Sequence, residues 1–127
     1  MLGFQNKLIK TQNSCFLDSI NISEIEFTKS AHHGKLKKVI FKGSEMTSAV
    51  TQVAYVELLA GEIIEEHLHD SMEEVFLVLD GNCEFCLDEV SQVLIKGSVI
   101  KIAPKIKHKL KALTETKLYY FGVSTVE

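Results

Sequence analysis

With 127 residues, of which 46% are hydrophobic and 24% charged, the chain has the size and composition of one globular domain with a single core. The formal net charge of −3 argues against a nucleic-acid-binding protein that uses a broad basic face. No apolar run approaches the length of a membrane-spanning helix, the longest being Val75 to Leu79. The N-terminus has neither a basic start nor an apolar run, so we expect no secretory signal. The three cysteines are an odd number, and we expect a cytoplasmic protein that does not rely on disulfides.

The first thirty residues carry weak structural signals, and we predict only a short helix near Phe16–Ile20 and an edge strand near Glu24–Phe27. After them come short apolar runs rich in Val, Ile, Tyr and Phe, separated by glycine and aspartate. The predicted strands, in chain order, are Lys37–Lys42, Thr51–Leu59, Ile63–His69, Glu74–Leu79, Cys83–Leu87, Val90–Leu94, Val99–Ile102, His108–Leu113 and Leu118–Val123. Many short strands with close turn signals are typical of a β-sandwich or β-barrel. We therefore expect an all-β fold, with residues 1–127 forming a single domain.

Cys83 and Cys86 form a C-x-x-C pair within one predicted strand. Residues three apart on a strand point to opposite faces, so the two sulfur atoms diverge. A redox C-x-x-C normally opens a helix, and a zinc site needs a second pair of ligands. The sequence favours packing cysteines over redox or metal use.

The segment from Ile100 to Leu110 indicates which side chains face inward. Apolar residues and one histidine occupy its even positions, whereas lysines occupy odd positions 101, 105, 107 and 109. Alternation with period two marks strands with one buried and one solvated face, so His108 should point the same way as Ile106 and Leu110. We interpret the lysines as a solvated face, with the alternative that some of them hold an anionic ligand.

His67 and His69 are followed by two carboxylates after a polar corner. On a helix, residues two apart diverge by about 200° around the axis. On a strand they share a face about 6.6 Å apart, and their imidazoles can reach one ion. Together with Glu73 or Glu74 and the inward-facing His108, they predict a metal site inside the barrel.

This pattern resembles the first motif of the cupin family. Gly61, His67, His69, Glu74 and Gly81 stand at each of the motif's fixed positions and spacings. The motif also distinguishes between the two carboxylates, because Glu74 stands at the required spacing before Gly81.

The second cupin motif is less complete. Gly97 and His108 stand at the family's separation, with Pro104 between them. The usual proline, glycine and asparagine of this motif are replaced here by Ala103, Lys105 and Ala112. The resemblance covers roughly residues 49–123, and the segment of about residues 1–35 is expected to pack on the barrel or on a partner subunit.

The resemblance implies a double-stranded β-helix, a small jelly-roll barrel that holds one divalent metal ion. By position, its ligands are His67, His69, Glu74 and His108. This set suits Fe, Mn, Ni, Zn or Cu, and the sequence does not choose among them. The residues expected to line the cavity are Phe76, Val78, Ile63 and Glu65.

Two further groups of residues are candidates for a place beside this site. Tyr55 or Tyr119 could supply a hydroxyl, although packing is the main interpretation. The adjacent His32 and His33 form a second pair of interest, and they cannot both face one ion from a strand.

The resemblance implies a metal-dependent small-molecule enzyme, of the isomerase, epimerase, lyase or dioxygenase class, acting on a sugar or small acid. The alternative is a non-catalytic barrel that binds metal and ligand as a sensor or accessory subunit. We expect neither a nucleic acid nor a membrane as partner. We do expect a homodimer, because Val75, Leu77 and Leu79 alternate with the inward-facing residues and need cover on the outer face.

Overall fold

The structure, a computed structural model, describes residues 18–30 and 35–126. This part of the chain contains ten strands, two 3₁₀ turns (Ile22–Glu24 and Gly43–Glu45) and no α-helix. The strands are β1 (Thr28–Lys29), β2 (Leu36–Lys42), β3 (Val50–Leu58), β4 (Ile63–His67), β5 (Met72–Asp80), β6 (Cys83–Leu87), β7 (Val90–Leu94), β8 (Val99–Ile102), β9 (His108–Ala112) and β10 (Thr116–Ser124).

The strands form two antiparallel sheets that face each other as a jelly roll. One sheet has the order β1-β2-β3-β10-β5-β8, and the other has the order β4-β9-β6-β7. All nine strands predicted after residue 30 are present, with ends that shift by no more than two residues. The all-β jelly-roll prediction is confirmed.

The predictions for the N-terminal segment were less successful. In place of an edge strand at Glu24–Phe27, the chain forms the turn Ile22–Glu24 and then the short strand β1. Asn21 explains the difference, because its side-chain oxygen accepts a hydrogen bond from the Ser23 backbone N–H at 2.9 Å and caps the turn. Residues 18–20 are not helical, and the rest of the predicted helix lies outside the described residues.

The core lies between the inner faces of the two sheets. Its largest fully buried side chains include Phe85, Leu58 and Leu118. Cys83 is also fully buried, and burial raises the pKa of its thiol to about 11. Cys86, three residues along β6, is only half-buried, as expected from its position on the other face of the strand. Both are free thiols, as the packing interpretation requires.

The glycines of the two cupin motifs occupy backbone positions that L-residues rarely adopt. Gly61, Gly81 and Gly97 have φ angles of 88°, 88° and 90°. Lys105, which replaces the usual glycine of the second motif, also has a positive φ of 69°. The loop before His108 therefore keeps its left-handed residue despite the missing glycine. Its shape is held by a backbone hydrogen bond, in which the Lys105 N–H donates to the His69 carbonyl oxygen at 2.7 Å.

We expect Lys105→Gly to raise the free energy of unfolding by about 1 kcal/mol, because a side chain in the left-handed region costs energy that glycine avoids. Chemical denaturation measures the change. The matched control is Lys107→Gly, since Lys107 lies in the same loop, is exposed, and does not have a positive φ. That control should be destabilised by about 0.5–1 kcal/mol. A loss of stability in Lys105→Gly would contradict the strain argument.

Candidate metal centre

Four side chains from both sheets converge inside the barrel. His67 ends β4 and His108 begins β9, where the two residues are direct partners across the antiparallel pair. Their ring centroids are 4.2 Å apart. His69 follows in the loop after β4, and Glu74 comes from β5 in the opposite sheet.

An irregularity in β4 decides which of its side chains enter the barrel. Ile64 pairs with Leu110 and His67 with His108, so β4 has one residue more than β9 between these two pairs. Such a β-bulge reverses the alternation of side chains along the strand. Ile64 and His67 consequently both face inward, whereas Glu65 is exposed. The prediction that Ile63 and Glu65 line the cavity was wrong, because it assumed a regular strand.

Two of the histidines have their tautomer fixed by the backbone. His67 Nδ1 lies 2.8 Å from the Glu65 carbonyl oxygen, and His108 Nδ1 lies 2.9 Å from the Ile106 carbonyl oxygen. A carbonyl oxygen can only accept, so each Nδ1 carries the proton and each neutral ring keeps a lone pair on Nε2. A histidine that ligates a metal commonly donates its other N–H in this way, because the contact orients the ring.

The four side chains offer a suitable donor set for a metal ion. One donor atom from each of His67, His69, Glu74 and His108 lies within 4.8 Å of the other three. Glu74 Oε1 is 3.3 Å from His69 Nε2 and 3.2 Å from His108 Nε2. Glu74 Oε1 and His108 Nε2 are both buried, and neither has a hydrogen-bond partner of acceptable geometry among the described residues. Buried polar atoms that point at a common centre rather than bonding each other fit a site built for a cation.

The charges within the cluster are strongly coupled. Burial alone would raise the pKa of Glu74, but the histidines around it, above all His108, bring the pKa below its ordinary value. Burial would likewise lower the pKa of His108, but its contacts with Glu74 and the Ile106 carbonyl raise that pKa above the ordinary value. In the absence of metal, each of the two groups therefore stabilises the charged form of the other.

These shifts define a pH test. The stabilisation from Glu74 is complete above its ordinary pKa of 4.5 and is lost as the pH falls through the lower folded value. The stabilisation from His108 is complete below its ordinary pKa of 6.5 and is lost as the pH rises through the higher folded value. Without metal, the pair thus contributes most between these two values. Metal binding instead needs neutral imidazoles.

We therefore expect the rise in melting temperature on adding Zn²⁺ to shrink as the pH falls from about 7 to about 5. Thermal unfolding followed by fluorescence, with and without Zn²⁺ at each pH, measures this difference. The same series with His108→Ala supplies the control, in which Zn²⁺ should have little effect at any pH. A zinc-dependent gain that stays constant over this range would count against histidine ligands.

The structure separates the two neighbouring carboxylates as the motif predicts. Glu74 is buried and lies opposite Ile102 and Gly122 on the flanking strands. Glu73 pairs with Val123, is only half-buried, and takes no part in the cluster.

A cavity of about 110 Å³ adjoins the cluster. Three residues of the cluster, His67, His69 and Glu74, line one side of it, and the rest of its lining consists of Ser30, Lys37, Gln52, Ile64, Met72, Phe76 and Tyr120. Phe76 is present as predicted, whereas Val78 is fully buried in the core. The cavity thus combines apolar side chains with polar groups that could orient a small ligand.

The cavity tyrosine differs from both candidates considered in the sequence. Tyr55 and Tyr119 lie against each other with ring centroids 5.4 Å apart, and the Tyr55 hydroxyl donates to Glu57 Oε2 at 2.7 Å. The packing interpretation of these two residues therefore holds. Tyr120 instead lines the cavity and stacks on Phe76 with centroids 5.1 Å apart. Tyr120 stands two residues after the buried Leu118 in β10, and this alternation could have indicated that its side chain faces inward.

Lys37 and Gln52 also line the cavity, and neither was predicted to do so. Gln52 shares the parity of Ala54 and Val56 in β3, which could have indicated its direction. Lys37 precedes another lysine, and nothing in the sequence shows which of the two faces inward. His32 and His33 lie outside the described residues.

A jelly roll with three histidines and one glutamate clustered inside it defines a class of small β-barrels with a candidate metal centre. The cupin-domain family model matches residues 54–124, more than half of the chain. The chain belongs to the cupin family. Comparison with curated proteins gave no match. In the part of the chain that the structure describes, no helix has the length and apolarity needed to cross a membrane.

Solved structures with the same fold come from several organisms. A predicted oxalate decarboxylase from Thermotoga maritima is 17% identical, with a TM-score of 0.78, and the match covers 84% of this chain and 99% of the other. KdgF from a Halomonas species is 17% identical, with a TM-score of 0.71 and coverage of 87% and 96%. A protein from Planctomyces limnophilus is 24% identical, with a TM-score of 0.71 and coverage of 90% and 95%. At these identities, the similarity concerns the fold.

Proposed function

We propose that the protein is a metal-dependent enzyme acting on a small molecule, with His67, His69, Glu74 and His108 as the metal ligands. The observation that carries the proposal is the convergence of four donor atoms within 4.8 Å at the side of a cavity. A divalent metal held there would polarise a carbonyl group or acidify a bound water. Reactions of this kind include those of isomerases, epimerases, lyases and dioxygenases.

The remaining cavity residues suit the binding and orientation of a small ligand beside the metal. Burial, together with the nearby Glu74 carboxylate, raises the pKa of Tyr120 to about 12. Its phenol is therefore protonated at neutral pH and can donate a hydrogen bond to a bound ligand. Ile64, Met72 and Phe76 give the same space apolar walls. In this proposal, the histidines and Glu74 hold the metal and Tyr120 donates a hydrogen bond that orients the ligand.

The first experiment is metal analysis of protein purified without added metal, followed by reloading with Mn²⁺, Fe²⁺, Ni²⁺ or Zn²⁺. Each loaded form is incubated with a panel of small acids and sugars, and products are detected by NMR. We expect turnover that depends on metal, disappears in Glu74→Gln, and falls about tenfold or more in Tyr120→Phe, because a hydrogen bond to the ligand is lost. Tyr119→Phe is the matched control, because Tyr119 packs against Tyr55 outside the cavity. Ligand binding without turnover in every loaded form would favour a sensor or accessory subunit.

We also propose that the protein is a homodimer that pairs through the outer face of the six-stranded sheet. Phe27 in the N-terminal segment covers Tyr55 on this face, with ring centroids 6.5 Å apart. Farther across the sheet, Leu77 is half-buried, and its partner Val99 is 61% exposed. Exposed apolar side chains on a sheet face favour association with a second copy.

Light scattering coupled to size exclusion should give twice the chain mass of 14.2 kDa at micromolar concentration. Val99→Glu should reduce the mass to that of one chain. Val90→Glu is the control, because Val90 is 72% exposed on β7 of the other sheet. A monomeric wild-type protein would contradict the dimer.

We further propose that the protein is cytoplasmic. The free thiols of Cys83 and Cys86 support this location, because a reducing compartment keeps cysteines unpaired.

A further inference from the structure

A lysine side chain enters the barrel beside the metal cluster. Lys37 in β2 pairs directly with Val56 in β3, and Val56 is fully buried in the core. Direct partners in an antiparallel pair point to the same face of the sheet, so Lys37 faces inward. The next residue, Lys38, faces outward, where its ammonium lies over the Phe27 ring and donates to the Ile22 carbonyl oxygen at 2.7 Å.

The Lys37 ammonium is oriented within the cavity but is not neutralised there. Its Nζ donates to Gln52 Oε1 at 3.0 Å, and both residues line the cavity. Gln52 is a neutral amide, so it positions the charge without cancelling it. Among residues 18–30 and 35–126, no carboxylate lies in ion-pair contact with Lys37. A half-buried cation without a counter-ion in direct contact is costly, and an anionic ligand would offset that cost.

The size and charge of the cavity restrict the ligand further. A volume of about 110 Å³ beside the cluster suits a small ligand. Glu74 lies close enough to attract the Lys37 charge and would repel an anion. The metal ion proposed above supplies the opposing positive charge, so the following inference depends on that proposal.

We propose that this cavity binds a small carboxylate, with a carboxylate oxygen accepting a hydrogen bond from Lys37 Nζ while Gln52 holds the ammonium in place. The substrate is thus a small organic acid rather than a neutral sugar. Lys37 determines this specificity, and Tyr120 lies in the same cavity, where it can donate to the ligand.

The test compares two small acids, pyruvate and glycolate, with their neutral amides, pyruvamide and glycolamide. Binding is measured by calorimetry on the Zn²⁺-loaded protein, because zinc does not undergo redox chemistry. The wild-type protein should bind at least one acid more tightly than its amide. Lys37→Met should weaken binding of that acid about tenfold or more, since a hydrogen bond to a charged group is lost. Its affinity for the amide and for Zn²⁺ should stay within about threefold of wild type, well below the loss for the acid.

Lys111→Met is the matched control, because it removes the same charge from the exposed outer face of β9. It should leave binding of both the acid and the amide unchanged. The proposal is overturned if Lys37→Met binds the acid as the wild type does, or if it loses the acid and the amide equally. Zinc binding by the wild type without affinity for either acid would overturn this inference and leave the metal site standing. A wild-type protein that does not bind Zn²⁺ would overturn both proposals.

Discussion

His108→Ala should lower the affinity of the protein for Zn²⁺ about a hundredfold or more, because even residues that only support metal ligands typically contribute tenfold to a hundredfold. His108 is buried, its Nε2 lies 3.2 Å from Glu74 Oε1, and its ring is oriented by the Ile106 carbonyl. Alanine at this position removes a donor atom that no neighbouring side chain can replace from the same direction. Competition with a chromophoric chelator measures the affinity.

The matched control for this variant is Lys109→Ala. Lys109 is the next residue of β9 and points to the exposed outer face. The Lys109→Ala variant should bind Zn²⁺ with the affinity of the wild type. Circular dichroism of the metal-free proteins establishes that both variants keep the β-sheet fold. If folded His108→Ala bound Zn²⁺ with unchanged affinity, the four-residue site would be wrong.

Gly81→Ala should destabilise the protein by about 3 kcal/mol or more, from backbone strain of about 1–2 kcal/mol and overpacking of about 1–3 kcal/mol. Gly81 has a φ of 88°, which disfavours any side chain. A Cβ there would also collide with the Glu115 carbonyl oxygen and lie 2.8 Å from Thr116 Cα. Those are backbone atoms at the start of β10, which cannot move without disturbing the centre of the larger sheet.

Gly97→Ala separates the strain from the collision. Gly97 has nearly the same φ of 90°, but a Cβ there would meet nothing within 4 Å. It should cost only about 1–2 kcal/mol, the strain alone. Denaturant unfolding of both variants measures the two losses. Equal losses would show that the close approach of Glu115 and Thr116 is relieved without cost.

The sequence by itself determined the strands and indicated the four residues of the candidate site. Period-two alternation in β9 placed His108 on the same face as Leu110, and both are buried. The spacing of His67, His69 and Glu74 marked the cluster. These features are local: a strand of regular geometry places alternate residues on one face, whatever the rest of the chain does. A missing motif residue did not change the backbone: the loop before His108 has a positive φ at Lys105, where the motif usually has glycine.

Only the tertiary structure decided how the strands combine around the site. The bulge in β4 arises from its pairing with β9. Because of this bulge, Ile64 lines the cavity with His67, and Ile63 and Glu65 do not. Similarly, pairing with Val56 turned Lys37 rather than Lys38 into the cavity. Register between strands that are distant in sequence depends on which faces can be buried together, and this is settled only when both sheets pack. The composition of the cavity, and with it the kind of ligand that we propose, therefore followed from the fold.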